Sequence, residues 1–249
     1  LGSERAPAGA PWGCLDIPGV AKRGIITRCA RDSTRLELVC GRVKQGGLHG
    51  VRLAARYFRI SSIEPNLLTD EIIRFVSGSR AFMPHFHIPL QSGSNKILGL
   101  MRRRYRKELY EEKVAAIKSL MPHCSIGVDV IVGFPGESDE AFQETYDFLN
   151  SLEVSYLHVF TYSERDRTDA LQITPVVPRH IRNERNKILR QLSFLKQHTF
   201  RQQHEGQVRK VLFEHQDRSG MMEGYSDNYI KVTTPFRPEW CNQIVDWTL

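Results

Sequence analysis

The feature that most constrains this chain is the alternation, from Tyr57 onward, of β-branched apolar runs with amphipathic helical stretches. Residues 57–63, 83–88, 125–132 and 155–162 read as strands, and 125–132 is apolar enough to be buried on both faces. Thr69 stands as an N-cap before Asp70 and Glu71, acids that complement the positive end of a helix running to about Ser77. Ser94 is placed to cap a helix reaching about Tyr105. Residues 107–121 set Tyr110, Val114, Ile117 and Met121 on one face ahead of Pro122, and 138–152 does the same with Phe142, Tyr146 and Leu149. Strands alternating with helices of this length predict βαβ units and a parallel sheet. Four strands are too few for a closed eight-stranded barrel and suit part of a barrel or an open sheet. A long basic helix follows over 180–204, with Ile181, Ile188, Leu192 and Leu195 spaced as a packing seam. After Gly206 the pattern turns all-β: 208–213, 221–225, 229–233 and 244–247, separated by Gly, Asp, Asn and Pro, predict a small antiparallel barrel.

Residues 1–56 differ in kind. They hold nine of the 18 glycines, three of the five cysteines and, of all the aromatics, only Trp12. A core needs large apolar side chains, so this stretch is expected to be an atypical, poorly ordered segment. Cys14, Cys29 and Cys40 are spaced too widely for a compact metal motif, and no metal ligand set is expected. The domain reading is therefore 1–56 atypical, 57–205 an α/β core and 206–249 a β module.

A chain of 249 residues can bury a core without disulfides, and five cysteines do not read as a disulfide framework. There is no apolar stretch near the ~20 residues of a membrane span and no signal-peptide pattern in these residues, so the expectation is a cytoplasmic protein with no membrane partner. The net charge of +7 invites a nucleic-acid reading, but residues 1–56 carry ten Lys or Arg against four acids, leaving 25 against 24 elsewhere. Overall charge alone does not make the body an RNA binder.

In parallel α/β folds ligands bind at the carboxyl ends of strands. Four such ends carry polar residues: Ser61-Ser62-Ile63-Glu64-Pro65, His85 through Ser94, Asp129 through Glu137, and Phe160 through Glu164. Glu64 reads equally as a site acid or a solvated loop acid. His85 and His87 share a strand face because side chains alternate. A metal pair there lacks a third ligand at suggestive spacing, and satisfied structural histidines are the preferred reading. Asp129 interrupts a Val/Ile run, where a charge is costly unless paired or facing a polar lumen. Gly133 and Gly136 permit a tight turn or a close ligand. Arg102, Arg103 and Arg104 with Tyr105 read either as a phosphate-binding patch or as a solvated helix end.

Together, Arg59 through Pro65, His85 through Ser94, Leu100 through Tyr105, Gly127 through Glu137 and Leu157 through Arg165 resemble the radical S-adenosylmethionine methylthiotransferases, in the right order, over about residues 57–249. Within that family the likeness leans to members acting on threonylcarbamoyladenosine in tRNA. The relatives acting on isopentenyladenosine or on a ribosomal protein, and a non-catalytic RNA-binding fragment, are the alternatives. The resemblance implies a partial (β/α) radical-SAM barrel followed by a TRAM-like RNA-binding β-barrel. It implies methylthiolation of carbon 2 of the modified adenosine beside the anticodon, with S-adenosylmethionine and 4Fe-4S clusters as cofactors, tRNA as substrate and a protein reductant. Carried over by position, Glu64, Gln91, Asp129 and Gly133 are expected to line the S-adenosylmethionine and substrate pocket, with Gln91 on the face of His85 and His87. The arginines at 102–104 are expected to meet RNA. The family's C-x3-C-x2-C triplet does not occur in these residues. Residues 1–56 carry no resemblance, and the chain is expected to be an incomplete, inactive copy, truncated or read in a shifted frame.

Overall fold

The computed structural model describes residues 27–31, 55–216 and 219–249. Its first sheet has five strands in the order β1 (Thr27–Arg31), β2 (Ala55–Ile60), β3 (Phe82–His87), β4 (Ser125–Val132) and β5 (Tyr156–Thr161). β1 pairs antiparallel with β2, and β2 through β5 run parallel. β1 comes from the compositionally distinct stretch 1–56, the rest of which lies outside the described residues. The crossovers are helical: α1 (Asp70–Gly78), α2 (Asn95–Leu100) with α3 (Lys107–Leu120), and α4 (Asp139–Ser151), followed after β5 by α5 (Arg179–Gln202). This is the α/β arrangement with a parallel sheet that strand–helix alternation predicts.

The helix starts follow local chemistry. The Thr69 hydroxyl accepts from the Ile72 amide at 3.3 Å, and Ser138 does the same for Ala141 at 3.3 Å, each ahead of two acids in the first turn. Ser94 occupies the cap position of α2 but makes no side-chain cap bond. The helix expected over 94–105 stops at Leu100, because Arg102 takes a left-handed φ of 55° and turns the chain away. That turn buries Tyr105, whose hydroxyl donates to the Pro89 and Leu90 carbonyls, each at 3.1 Å.

The two faces of the sheet are chemically distinct because side chains alternate along each strand. Ile126, Val128, Val130 and Val132 of β4 are fully buried on the helix-covered face, joined by Ile60, Phe86 and Leu157 from neighbouring strands and by Ile72, Tyr110, Ile117 and Leu149 from the helices. The opposite, concave face takes Arg59 and Ser61, His85 and His87, Gly127 and Asp129, and Tyr156 and His158. The register places His87 beside Gly127, Gly127 beside Tyr156 and Asp129 beside His158.

A second sheet is wholly antiparallel, in the order β8 (Lys231–Pro235), β7 (Met221–Ser226), β6 (Val208–Gln216), β9 (Ile244–Thr248). The loop between β7 and β8 docks under the concave face of the first sheet. There Arg59 donates to the Ser226 carbonyl at 2.5 Å, and its guanidinium lies 5.0 Å from the centre of the Tyr229 ring. The Asn228 amide reaches the His123 carbonyl at 3.4 Å.

Candidate functional site

The concave face is layered. In the lower layer His85 is buried, with Nε2 2.8 Å from the Tyr156 hydroxyl and its ring 4.3 Å from that of Tyr229. Burial, then the charges of Arg59, His87 and His158, hold His85 well below the ordinary histidine range, so the ring is neutral. Gly127 makes this layer possible. A methyl group there would come within 2.2 Å of the Tyr156 ring, which lies across the space a side chain would fill.

The layer above holds the polar chemistry. His87 Nδ1 is 2.7 Å from the Ser61 carbonyl, which only accepts, so that nitrogen carries a proton. Its Nε2 is 2.9 Å from Asp129 Oδ1, and the same oxygen lies 3.3 Å from His158 Nδ1. Burial opposes charge on His87, but the hydrogen bond and charge of Asp129, with the Ser61 carbonyl, raise it above its ordinary value. Burial likewise opposes the Asp129 carboxylate, yet the hydrogen bonds from His158 and His87 and their charges hold it well below the usual range. Asp129 is therefore the paired lumen charge that its place in a Val/Ile run demanded.

The histidine pair separates. His85 is a structural residue bonded through Nε2 to Tyr156, with its buried Nδ1 left without a hydrogen-bond partner among the described residues, whereas His87 joins Asp129 and His158. Period-two alternation puts both histidines on one face but does not say which residues of β5 meet them, and His158 was not singled out. The signal that finds it is register: once β4 and β5 are parallel, Asp129 and His158 fall side by side.

Other expected residues sit differently. Glu64 lies in the loop after β2 and accepts from Arg103 at 3.0 Å, both half-exposed. The arginine run thus does not form one patch. Arg103 turns inward to Glu64, Arg102 pairs with the exposed Asp169 at 2.7 Å, and Arg104 is exposed. Gln91 lies beyond the end of β3 at a left-handed φ of 71°, so strand alternation does not carry it onto the face of His85 and His87. It is buried, and its backbone bridges to β4, accepting from the Ile131 amide at 2.9 Å and donating to the Asp129 carbonyl at 2.8 Å. Gly133 has φ +74°, and a methyl there would meet Arg182 Cγ at 2.3 Å. Its open side is thus covered by Arg182, not left to a ligand.

Arg182 and Arg185, which sequence reading left inside a basic helix, turn out to fix the strand ends. Arg185 bonds Glu137 and Asp139, each at 2.6 Å, while Glu137 accepts from the Gly133 amide at 2.6 Å. Arg182 holds the carbonyls of Val177 and Tyr162 and the Glu164 carboxylate. Buried guanidiniums paired in this way make the β4 and β5 exits rigid.

Against known proteins, residues 36–149 match the Radical SAM superfamily model, a match that starts inside the stretch 1–56. The chain is 39% identical over 191 residues to the threonylcarbamoyladenosine tRNA methylthiotransferase MtaB of Bacillus subtilis (strain 168), covering 75% of this chain and 42% of that protein. It is 43% identical over 174 residues to MtaB of Aquifex aeolicus (strain VF5), covering 70% and 41%. The tRNA-2-methylthio-N(6)-dimethylallyladenosine synthase of Bacillus licheniformis is 35% identical over 174 residues, covering 68% and 33%. The chain spans about two fifths of the length of the MtaB relatives it matches.

Proposed function

We infer that this chain, a relative of the radical SAM methylthiotransferases, serves tRNA methylthiolation, with threonylcarbamoyladenosine beside the anticodon as its target and carbon 2 as the modified atom. The observation that carries this reading is the identity to MtaB proteins, 39–43% for three of them and 35% for a fourth, against 34–37% for the dimethylallyladenosine synthases. The second sheet is read as a TRAM-like RNA-binding module, with Arg102 and Arg104 adding phosphate contacts, in a cytoplasmic enzyme fed by a protein reductant. Among the described residues no helix is long and apolar enough to cross a membrane.

The family works with S-adenosylmethionine and 4Fe-4S clusters, and the described residues suit these two unequally. Cluster ligation needs converging thiolates. Cys124 is buried in the core with its thiol pushed up to about 12 by burial, and Cys241 belongs to the other sheet. The side chains of Cys14, Cys29 and Cys40 lie outside the described residues. The described cysteines therefore do not fit a cluster. S-adenosylmethionine, which when bound supplies a methyl group and an adenosyl fragment, suits the concave face in kind. A largely buried carboxylate at Asp129, flanked by imidazoles, lies on the polar face of the parallel sheet beside the half-exposed His158. Asp129 would hold it, with Glu64 at the rim and Gln91 fixing the backbone beneath.

Deleting the gene in its host and analysing tRNA nucleosides by mass spectrometry tests the reading. Loss of the 2-methylthio form of threonylcarbamoyladenosine, with 2-methylthio-isopentenyladenosine retained, is expected. The reverse pattern assigns the chain to the other substrate, and an unchanged profile rejects both.

A further inference from the structure

We propose that His87, Asp129 and His158 form a binding site for one divalent transition-metal ion, zinc or ferrous iron in character, distinct from any cysteine-held cluster. The inference stands on these side chains and does not depend on the methylthiotransferase reading; it gives the metal the Asp129 carboxylate that reading assigns to S-adenosylmethionine, so binding is measured without that cofactor. The three residues project from β3, β4 and β5 on one face, and their ligand atoms all lie within 4.8 Å of one another. Two imidazole nitrogens and a carboxylate oxygen form a donor set that favours zinc, iron or cobalt over magnesium or calcium, which prefer oxygen alone.

The distances suit an ion. Ligands at about 2.0–2.2 Å from a tetrahedral centre stand about 3.4 Å from one another. The His87 and His158 nitrogens lie 2.9 and 3.3 Å from Asp129 Oδ1, so these two pairs need to open by only tenths of an ångström, and the two nitrogens stand within 4.8 Å of each other. The two imidazoles meet edge to face, at 61° and 5.1 Å between centres, and do not stack.

The second layer of contacts has the arrangement metal-bound histidines use. The Nδ1 of His87 donates to the Ser61 carbonyl at 2.7 Å, which fixes the ring and directs Nε2 at the site. The side chains of His87 and Asp129 are 14% and 20% exposed, while that of His158 is 50% exposed. One side of the cluster is thus walled by the sheet and the other open, leaving coordination positions for water or for an oxygen or nitrogen donor of a bound ligand. His85 stays outside the set, because its Nε2 faces the Tyr156 hydroxyl.

The test is cobalt binding by the chelator-stripped, desalted full chain, followed by visible absorption and then displaced with zinc. One equivalent of Co²⁺ per chain is expected, with d–d bands and no sulfur-to-cobalt charge-transfer band in the near ultraviolet. His87→Gln, Asp129→Asn and His158→Gln should each weaken binding at least ~10-fold. His158→Gln is the decisive variant because its half-exposed side chain leaves the fold intact, to be verified by unchanged far-ultraviolet circular dichroism. Absence of cobalt binding by the wild-type chain overturns the proposal. So does a thiolate charge-transfer band carrying all the bound cobalt, or unchanged affinity in His158→Gln.

Discussion

In the parallel sheet, four alternate residues of β4 are fully buried beneath the helices, so the core is continuous from Ile60 to Leu192. In the antiparallel sheet only Val211, Phe213, Met222 and Val232 are buried together, ringed by half-buried Phe236, Trp240, Val245, Trp247 and Leu249. The first region can leave a whole face polar because the other face supplies its cohesion. The second has no such reserve. It relies on aromatic edges, with Phe213 5.5 Å from both Trp240 and Trp247, and on docking its β7–β8 loop against Arg59, His85 and His123. Depth of core, in this chain, decides where charged chemistry can be placed.

The contrast can be broken most forcefully at Phe86, fully buried behind the polar face. Phe86→Ala should cost about 3–5 kcal/mol, seen as a lowered urea midpoint in far-ultraviolet circular dichroism. A cost below ~1 kcal/mol would mean that the parallel core is not the continuous body described. Phe213→Ala should cost somewhat less, about 3 kcal/mol, since a small cluster collapses more easily around a gap. Of the three tryptophans, Trp247 lies in the second sheet and Trp240 packs against it, so their fluorescence should report its loss ahead of the circular-dichroism transition. Coincident transitions in that variant would make the two regions one cooperative unit. Asn228→Ala removes a buried side chain that accepts from the Ser226 hydroxyl at 2.6 Å and reaches across to His123. It should cost about 1–2 kcal/mol and widen the gap between the two transitions.

The smallest effect is alkaline. Burial pulls the Lys196 ammonium, in α5, down to about 8 from 10.5, so between those values the unfolded chain binds more protons and the parallel region gains stability as pH rises. Lys210, in β6, shifts the other way: its hydrogen bond to Asp246 raises it. Its contribution is present below 10.5 and is lost as pH climbs beyond. Urea midpoints read by circular dichroism should therefore rise from pH 8 to about 9, above which the buried Cys124 thiol opposes the gain; Lys196→Gln should flatten that rise, and the tryptophan-reported midpoint should not share it.

The strands were legible because β-branched runs and period-two alternation are local properties, and the shared face of His85 and His87 followed from the same rule. What stayed hidden depended on partners distant in the chain. His158 needed the β4–β5 register, and the inward turn of Arg103 needed the position of Glu64. The early end of the helix at Leu100 needed the left-handed Arg102, which Tyr105 then anchors. Gly133 read as an open turn because the residue covering it, Arg182, lies in a different helix. Tyr229, at a left-handed φ of 68°, looked like the start of a strand and instead caps the lower layer of the groove.

The missing side chain at Gly127 sets a height. Because the Tyr156 ring lies flat over that position, the bottom of the groove beside β4 is an aromatic slab, not a peptide plane. Asp129 stands one step further along the same strand, just above the slab's edge. The hydrogen atom at 127 works as a spacer by subtraction: any larger side chain there would displace the Tyr156 ring, and with it the packing beneath Asp129 and His158.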